Sequence, residues 1–206
     1  MKKFIKFLLA VAAIFAAYET MKRIIKRTYP EPMPFSHKER LELSLSKITR
    51  TLNRIGVEDK DSILEIGAGT GVYTVWAAKR IKNTGKLFAI DLQKEMIAEL
   101  NGRLEKHNIS NVESRVEDCT RMSFKDGTFD LIYMIKTYGE IKDKKAAVRE
   151  ISRIIRPGGI LSITEYLPDP HYYLKTEIKN IVEKHGFYLR EEYGGIYEYT
   201  LNFKKI

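Results

Sequence analysis

Ser62-Ile63-Leu64-Glu65-Ile66-Gly67-Ala68-Gly69-Thr70-Gly71 is an apolar run that ends in an acid and then three glycines at every second position. Residues 72–82 continue as a helix, so the stretch predicts strand, glycine turn, helix. Glycines in such a turn reach positive φ and let a ligand approach bare backbone. The N–H groups that open the next helix favour electron-rich ligand groups. The spacing narrows the ligand. A dinucleotide turn reads G-x-G-x-x-G, but Val72 stands where its third glycine would fall. No G-x-x-x-x-G-K-[ST] occurs, which argues against a phosphate-cradling loop.

Working outward, the strand periodicity repeats. Residues 86–90 read as a second strand closed by Asp91, 93–107 as a helix, and 111–116 as a third strand followed by Glu117-Asp118-Cys119. Residues 128–135 are a fourth strand, and Lys136-Thr137-Tyr138-Gly139-Glu140-Ile141 leaves its end. A helix over 142–155 stops at Arg156-Pro157-Gly158-Gly159, and 160–166 form a fifth strand. A loop over 167–173, a helix over 174–185 ended by Gly186, and two antiparallel strands over 187–193 and 197–203 complete the chain. Alternating strands and helices imply a mostly parallel sheet with right-handed crossovers, here of seven strands with a C-terminal antiparallel hairpin. Ligands on such sheets lie outside the carboxyl ends of the strands. Glu65, Asp91, Asp118 and Lys136 all fall at those ends.

The N-terminus is different in kind. Of the net charge of +9, +6 lies in residues 1–30. Residues 7–18 are an uncharged, nearly all-apolar run flanked by basic clusters, and Pro30, Pro32 and Pro34 follow. A run of that length is short for a full span, so a cleaved signal, a short span with snorkelling cations and a helix lying in one leaflet all fit. The larger basic cluster after the run predicts an uncleaved anchor with the domain on the cytoplasmic side. The expected organisation is an anchor helix over 1–27, a proline-rich linker over 28–35 and one α/β domain over 36–206. Ser36 with Glu39 forms a capping box for a first helix carrying Leu41, Leu45, Ile48, Leu52 and Ile55 and ended by Gly56. One cysteine and four dispersed histidines exclude a disulfide framework and predict no metal site. Because the basic excess is N-terminal, anionic lipid is the expected partner surface and nucleic acid is disfavoured.

Glu65 completes E-x-G-x-G-x-G. Together with 89–91, 117–119, 129–135 and the R-P-G-G of 156–159, it resembles the motifs, in order, of the class I S-adenosylmethionine (SAM)-dependent methyltransferases. The R-P-G-G is similar to the ubiquinone/menaquinone-biosynthesis branch. The resemblance covers roughly residues 55–170 and implies a Rossmann-like fold with SAM as cofactor. It assigns Gly67, Ala68, Gly69 and Gly71 to the backbone beside the methionine portion of SAM, and Glu65 to its amino group. Asp91 is assigned to the ribose hydroxyls, Leu92 to packing near the adenine, Asp118 and the Cys119 N–H to the adenine edge, and Lys136 to the methionine end. Tyr138, Glu140 and His171 are the candidate catalytic groups, with Glu165 a further polar group near the mouth. SAM is cytosolic, which agrees with a domain at the cytoplasmic face of a membrane. No N-P-P-Y and no paired cysteines appear, so bases in RNA are weak acceptor candidates. The expected acceptor is a lipid or lipid-linked small molecule. Methylation of a membrane protein, a non-catalytic SAM-binding scaffold and, less favoured, a nicotinamide oxidoreductase are the alternatives.

Overall fold

A computed structural model describes residues 11–18, 20–21, 44–58, 60, 62–81 and 85–206. Its core is a seven-stranded sheet of order β3-β2-β1-β4-β5-β7-β6, with β1 Ser62–Ile66, β2 Lys86–Asp91, β3 Val112–Val116, β4 Phe129–Ile135, β5 Ile155–Tyr166, β6 Phe187–Gly194 and β7 Glu198–Lys205. The pairs from β3 across to β5 are parallel, and β7 joins β5 and β6 antiparallel. This is the expected Rossmann-like sheet with its terminal hairpin. The strand order reverses between β1 and β4, and that reversal opens a crevice at the strands' carboxyl ends.

The central strands are mainly apolar because both faces are covered, with Glu65, Asp130, Ser162 and Thr164 among the buried polar exceptions. Ile63, Leu131, Tyr133 and Ile160 pack on one face against Ile48, Leu52 and Ile55 of α1 (Leu45–Ile55) and against Ala77 and Ala78 of α2 (Thr74–Ala78). Leu64, Ile132, Met134, Leu161 and Ile163 pack on the other against Val148, Ile151 and Ile154 of α4 (Lys144–Ile154) and Ile178 and Val182 of α5 (Lys175–Val182). Between these two helical groups in sequence, α3 (Lys94–Lys106) buries Ile97, Leu100 and Leu104 against Ala68, Val75 and Ala89.

Several boundaries differ from the sequence reading. The helix expected over 72–82 is shortened to α2, because Gly71 holds φ +83° and Val72 and Tyr73 complete a turn before the chain can coil. The R-P-G-G does more than stop α4. β5 already begins at Ile155 opposite Phe129, and the register then jumps from Phe129↔Ile155 to Leu131↔Ile160. Arg156 reaches back across this bulge to Asp130, Nη1 to Oδ1 2.5 Å, and the same Asp130 accepts the Ser62 N–H at 2.9 Å. The bulge therefore ties β5 to the start of the glycine strand.

The first helix of the domain is capped by Ser44, whose Oγ accepts the Lys47 N–H at 3.4 Å, and ends at Gly56 with φ +75°. The capping box at Ser36 and Glu39, and the proline linker, lie outside the described residues, as does most of the expected anchor. Within that anchor, residues 11–18 and 20–21 are helical, and Val11, Ile14, Phe15 and Met21 are exposed rather than packed into the domain. Among the described residues, no helix is long and apolar enough to cross a membrane.

Candidate active site

The glycine turn is pinned from three sides. The Gly67 and Ala68 N–H groups both donate to the Ile90 carbonyl, at 2.8 and 3.0 Å, which fixes the turn against the end of β2. Gly67 has φ +72°. A Cβ there would stand 2.3 Å from the Thr137 side chain, so no other residue lets the ends of β1 and β4 approach this closely. At the turn's exit, a Cβ on Gly71 would meet Leu100 Cδ1 at 2.3 Å, which is how closely α3 packs on the turn.

Two acids anchor this backbone. Asp91, the last residue of β2, accepts the Gly69 N–H on Oδ2 at 2.9 Å and the Gln93 N–H on Oδ1 at 3.0 Å. Glu65 lies one strand over, buried, and accepts the Thr74 hydroxyl at 2.7 Å. Burial pushes its carboxyl up to about 7; the Thr74 and Tyr133 hydroxyls oppose that rise and the Asp91 charge adds to it. At the end of β3, Asp118 accepts both the N–H and the hydroxyl of Thr120, at 2.9 and 2.8 Å. The Thr120 N–H is the main reason its carboxyl stays below the usual range. Burial, with help from Asp118, pushes the Cys119 thiol up to about 12, so this cysteine stays a neutral thiol.

These strand ends enclose a cavity of about 380 Å³. Gly67, Asp91, Leu92, Asp118, Cys119 and Glu140 line it. Glu65, Ala68, Gly69 and Gly71 lie in the strand and turn rather than on the cavity wall. Thr137, Ile141 and Gln93 are lining residues that the sequence reading did not single out. Thr137 could have been suspected only through its partner, since Gly67 implies a close neighbour without naming it.

Three candidates fall elsewhere. Lys136 turns its ammonium away from the cavity to Asp169, Nζ to Oδ2 3.1 Å. Tyr138 is fully buried in the core, edge-on to Tyr173 with ring centroids 5.6 Å apart, and burial raises its hydroxyl far above the ordinary tyrosine value. It is a packing residue, because a large ring following β4 finds the apolar space under the sheet. His171 is buried too, with its backbone N–H donated to Asp169 Oδ1 at 2.8 Å. Of the three catalytic candidates, Glu140 alone lines the cavity.

The cavity volume is in the range of small-molecule sites. Its wall combines apolar Ile90, Leu92 and Ile141 with the strand-end acids Asp91, Glu117 and Asp118 and with Gly67 of the glycine turn, which has no side chain. That set fits a nucleoside with a polar tail. A family model described as a methyltransferase domain matches residues 63–159. Over these residues the chain is similar to the class I SAM-dependent methyltransferases. It is 30% identical over 112 residues to the ubiquinone/menaquinone biosynthesis C-methyltransferase UbiE of Hydrogenovibrio crunogenus, a match covering 54% of this chain and 44% of that protein. The match thus spans under half the length of the curated relatives. The crystal structure of a SAM-dependent methyltransferase from Aquifex aeolicus superposes with a TM-score of 0.73 at 24% identity, over 90% of this chain and 98% of that one. The phosphoethanolamine N-methyltransferase 2 of Haemonchus contortus, solved with phosphomonomethylethanolamine and S-adenosylhomocysteine, superposes with a TM-score of 0.63 at 26% identity, over 72% and 39% of the two chains.

The residues present fit SAM. Asp91 stands where a ribose diol would be held, and its carboxylate is already oriented by two N–H donors. Leu92 and Ile141 offer apolar faces to the adenine, and Asp118 an acceptor for its amino group. Gly67 and Gly69 present bare backbone, with the Glu65 carboxyl buried behind them.

Proposed function

We propose that this chain transfers the methyl group of SAM to an amphipathic acceptor at a membrane surface. The observation that carries the methyltransferase reading is Asp91. It closes β2, one strand from the strand-order reversal, holds the Gly69 N–H and lines the cavity together with Asp118. When bound, SAM supplies an electrophilic methyl group on a positively charged sulfur. The chain's own part is orientation. The glycine turn fixes one end of the cofactor and the acids of β2 and β3 fix the other, so the approach of an acceptor is converted into a positioned encounter. Glu140 on the cavity wall is the group placed to take a proton from an acceptor that must lose one.

The lipid-linked acceptor rests on three supports. The curated relatives at about 30% identity carry quinone-biosynthesis names. The apolar residues of the N-terminal helix are exposed. The charge of residues 1–30 suits an anionic leaflet, on the cytoplasmic side where SAM is available. The first test is calorimetric titration of the full chain in detergent with S-adenosylhomocysteine, followed by methyl transfer from labelled SAM to a membrane extract. Binding with label in the lipid fraction supports the reading. Binding with no labelled product favours a cofactor-binding scaffold, and label in protein favours methylation of a membrane protein.

A further inference from the structure

Beyond the cofactor cavity, the ends of β4 and β5 carry a second cluster that the mechanism does not use. The Lys47 ammonium of α1 lies 3.6 Å from the centroid of the Tyr166 ring, and the Lys136 ammonium lies 5.1 Å from the same centroid. We propose that Lys47 and Lys136 form an oxyanion clamp over Tyr166 that selects a methyl acceptor bearing a phosphate or carboxylate group. The proposal rests on the methyltransferase reading for the word acceptor, but not for the clamp itself.

Charge is the first argument. Lys136 is paired with Asp169 at 3.1 Å. Lys47 has neither a hydrogen bond nor an ion pair for its ammonium among the described residues. The carboxylate that faces Lys47, Glu198, is engaged by Arg54 at 2.8 Å and Arg50 at 3.4 Å, and the buried Glu165 lies on the Lys136 side. Asp169 and Glu198 thus each already have a cation, and Lys47 is left with the Tyr166 ring. Tyr166 is only 6% exposed, so the cluster is not a loose surface stack. Burial lowers the Lys47 pKa, Glu198 opposes this, and the Lys136 and Arg50 charges lower it further. A partly desolvated ammonium with no carboxylate of its own among the described residues, under the repulsion of a second one, is costly, and an anion bound by both lowers the cost.

Backbone geometry is the second, independent argument. Lys136 has φ +57°. The other non-glycine residue with positive φ among those described is Asn108, a residue type that tolerates it. A long side chain held in the left-handed region is strain kept for a purpose. Here the Lys136 N–H donates to the Thr164 carbonyl at 2.9 Å, and the distorted residue aims its ammonium at Tyr166 rather than into the cofactor cavity. The next residue, Thr137, touches Gly67. The clamp thus begins one residue from the wall of the cofactor cavity, where an acceptor's far end would have to be gripped.

The test uses the full chain in detergent, with and without S-adenosylhomocysteine. Inorganic phosphate and short-chain phosphatidic acid are titrated into wild type, Lys47→Met, Lys47→Arg and Lys136→Met. The clamp requires phosphate binding that falls at least tenfold in both methionine variants and survives in Lys47→Arg. Lys47→Met should leave S-adenosylhomocysteine affinity and the melting temperature unchanged, which separates the clamp from a folding role. Phosphatidic acid binding tighter than phosphate by more than tenfold points to a lipid source, and equal affinities to a soluble acceptor. Equal anion affinity in wild type and Lys47→Met, or no anion binding by about 50 mM, overturns the clamp. Failure of S-adenosylhomocysteine to bind wild type instead removes the methyltransferase reading, while the phosphate titration without it still reads the clamp.

Discussion

The Gly69 N–H donates to Asp91 Oδ2 at 2.9 Å, so the acid at the end of β2 holds the glycine turn that follows β1. Oδ1 of the same carboxylate accepts the Gln93 N–H at 3.0 Å and starts α3. One side chain therefore orders two backbone segments that line or support the cavity, and presents its remaining lone pairs to a ligand.

Asp91→Ala should remove both interactions. Hydrogen bonds to a charged group contribute about 1.5–3 kcal/mol each. The expected outcome is at least a tenfold loss of S-adenosylhomocysteine affinity by calorimetry, with a melting temperature a few degrees lower. Asp91→Asn keeps the shape and one acceptor oxygen and should fall between. An Asp91→Ala variant that binds as tightly as wild type would show that the cavity holds its ligand by other means.

Gly139 sits where two loops meet. A Cβ there would stand 1.8 Å from the His171 carbonyl oxygen, and that backbone cannot swing aside as a side chain can. Gly139→Ala should therefore force the loop after β4 and the loop after β5 apart. We expect destabilisation of about 3 kcal/mol or more, at the high end for single substitutions, read by denaturant unfolding. The comparison is Gly102→Ala, where the added Cβ meets nothing within 4 Å. At that helical position alanine should be neutral or stabilising, by up to about 1 kcal/mol.

Lys144 supports the same loop from below. It is 8% exposed, and its ammonium donates to the Ile141 carbonyl at 2.6 Å and the Gly139 carbonyl at 3.1 Å. Lys144→Met keeps the length but leaves those carbonyls without that donor, at a cost of about 1–3 kcal/mol for each buried group left unsatisfied. Because Ile141 is part of the cavity wall, S-adenosylhomocysteine affinity should fall along with stability. A loss of stability with unchanged affinity would separate the loop from the ligand site.

The sheet and its ligand end were legible because their signals are local. An apolar run, a glycine turn and an acid at the next strand's end each fall within about ten residues, and the parallel crossover rule joins them. Tyr138 and His171 were misread because a polar group after a strand gives no sign of which way it faces. Both sit near the crevice in sequence, yet Tyr138 packs edge-on to Tyr173 and both residues are buried. Arg156 was read as part of a stop signal, whereas its partner Asp130 is a strand residue reached only once β5 is folded. The pairing of Lys47 with Lys136 on Tyr166 was invisible for the same reason, since three elements far apart in sequence meet there.

Glu65 makes stability depend on pH. Its folded carboxyl is raised from 4.5 to about 7, chiefly by burial. The native state therefore keeps a proton that the unfolded chain has already released. Stability from this group is fully present below the unfolded value and is lost as pH rises through about 7. A shift of this size corresponds to roughly 3 kcal/mol between the limits. Glu65→Gln keeps the shape and a carbonyl to accept the Thr74 hydroxyl, and never ionises. Relative to wild type it should be near neutral at pH 5 and more stable at pH 8, read by denaturant unfolding at both pH values. Glu165, also buried and raised, slopes the same way in both proteins and cancels in the comparison. Equal differences at the two pH values would mean that Glu65 is already ionised in the fold, held by hydrogen bonds that outweigh its burial.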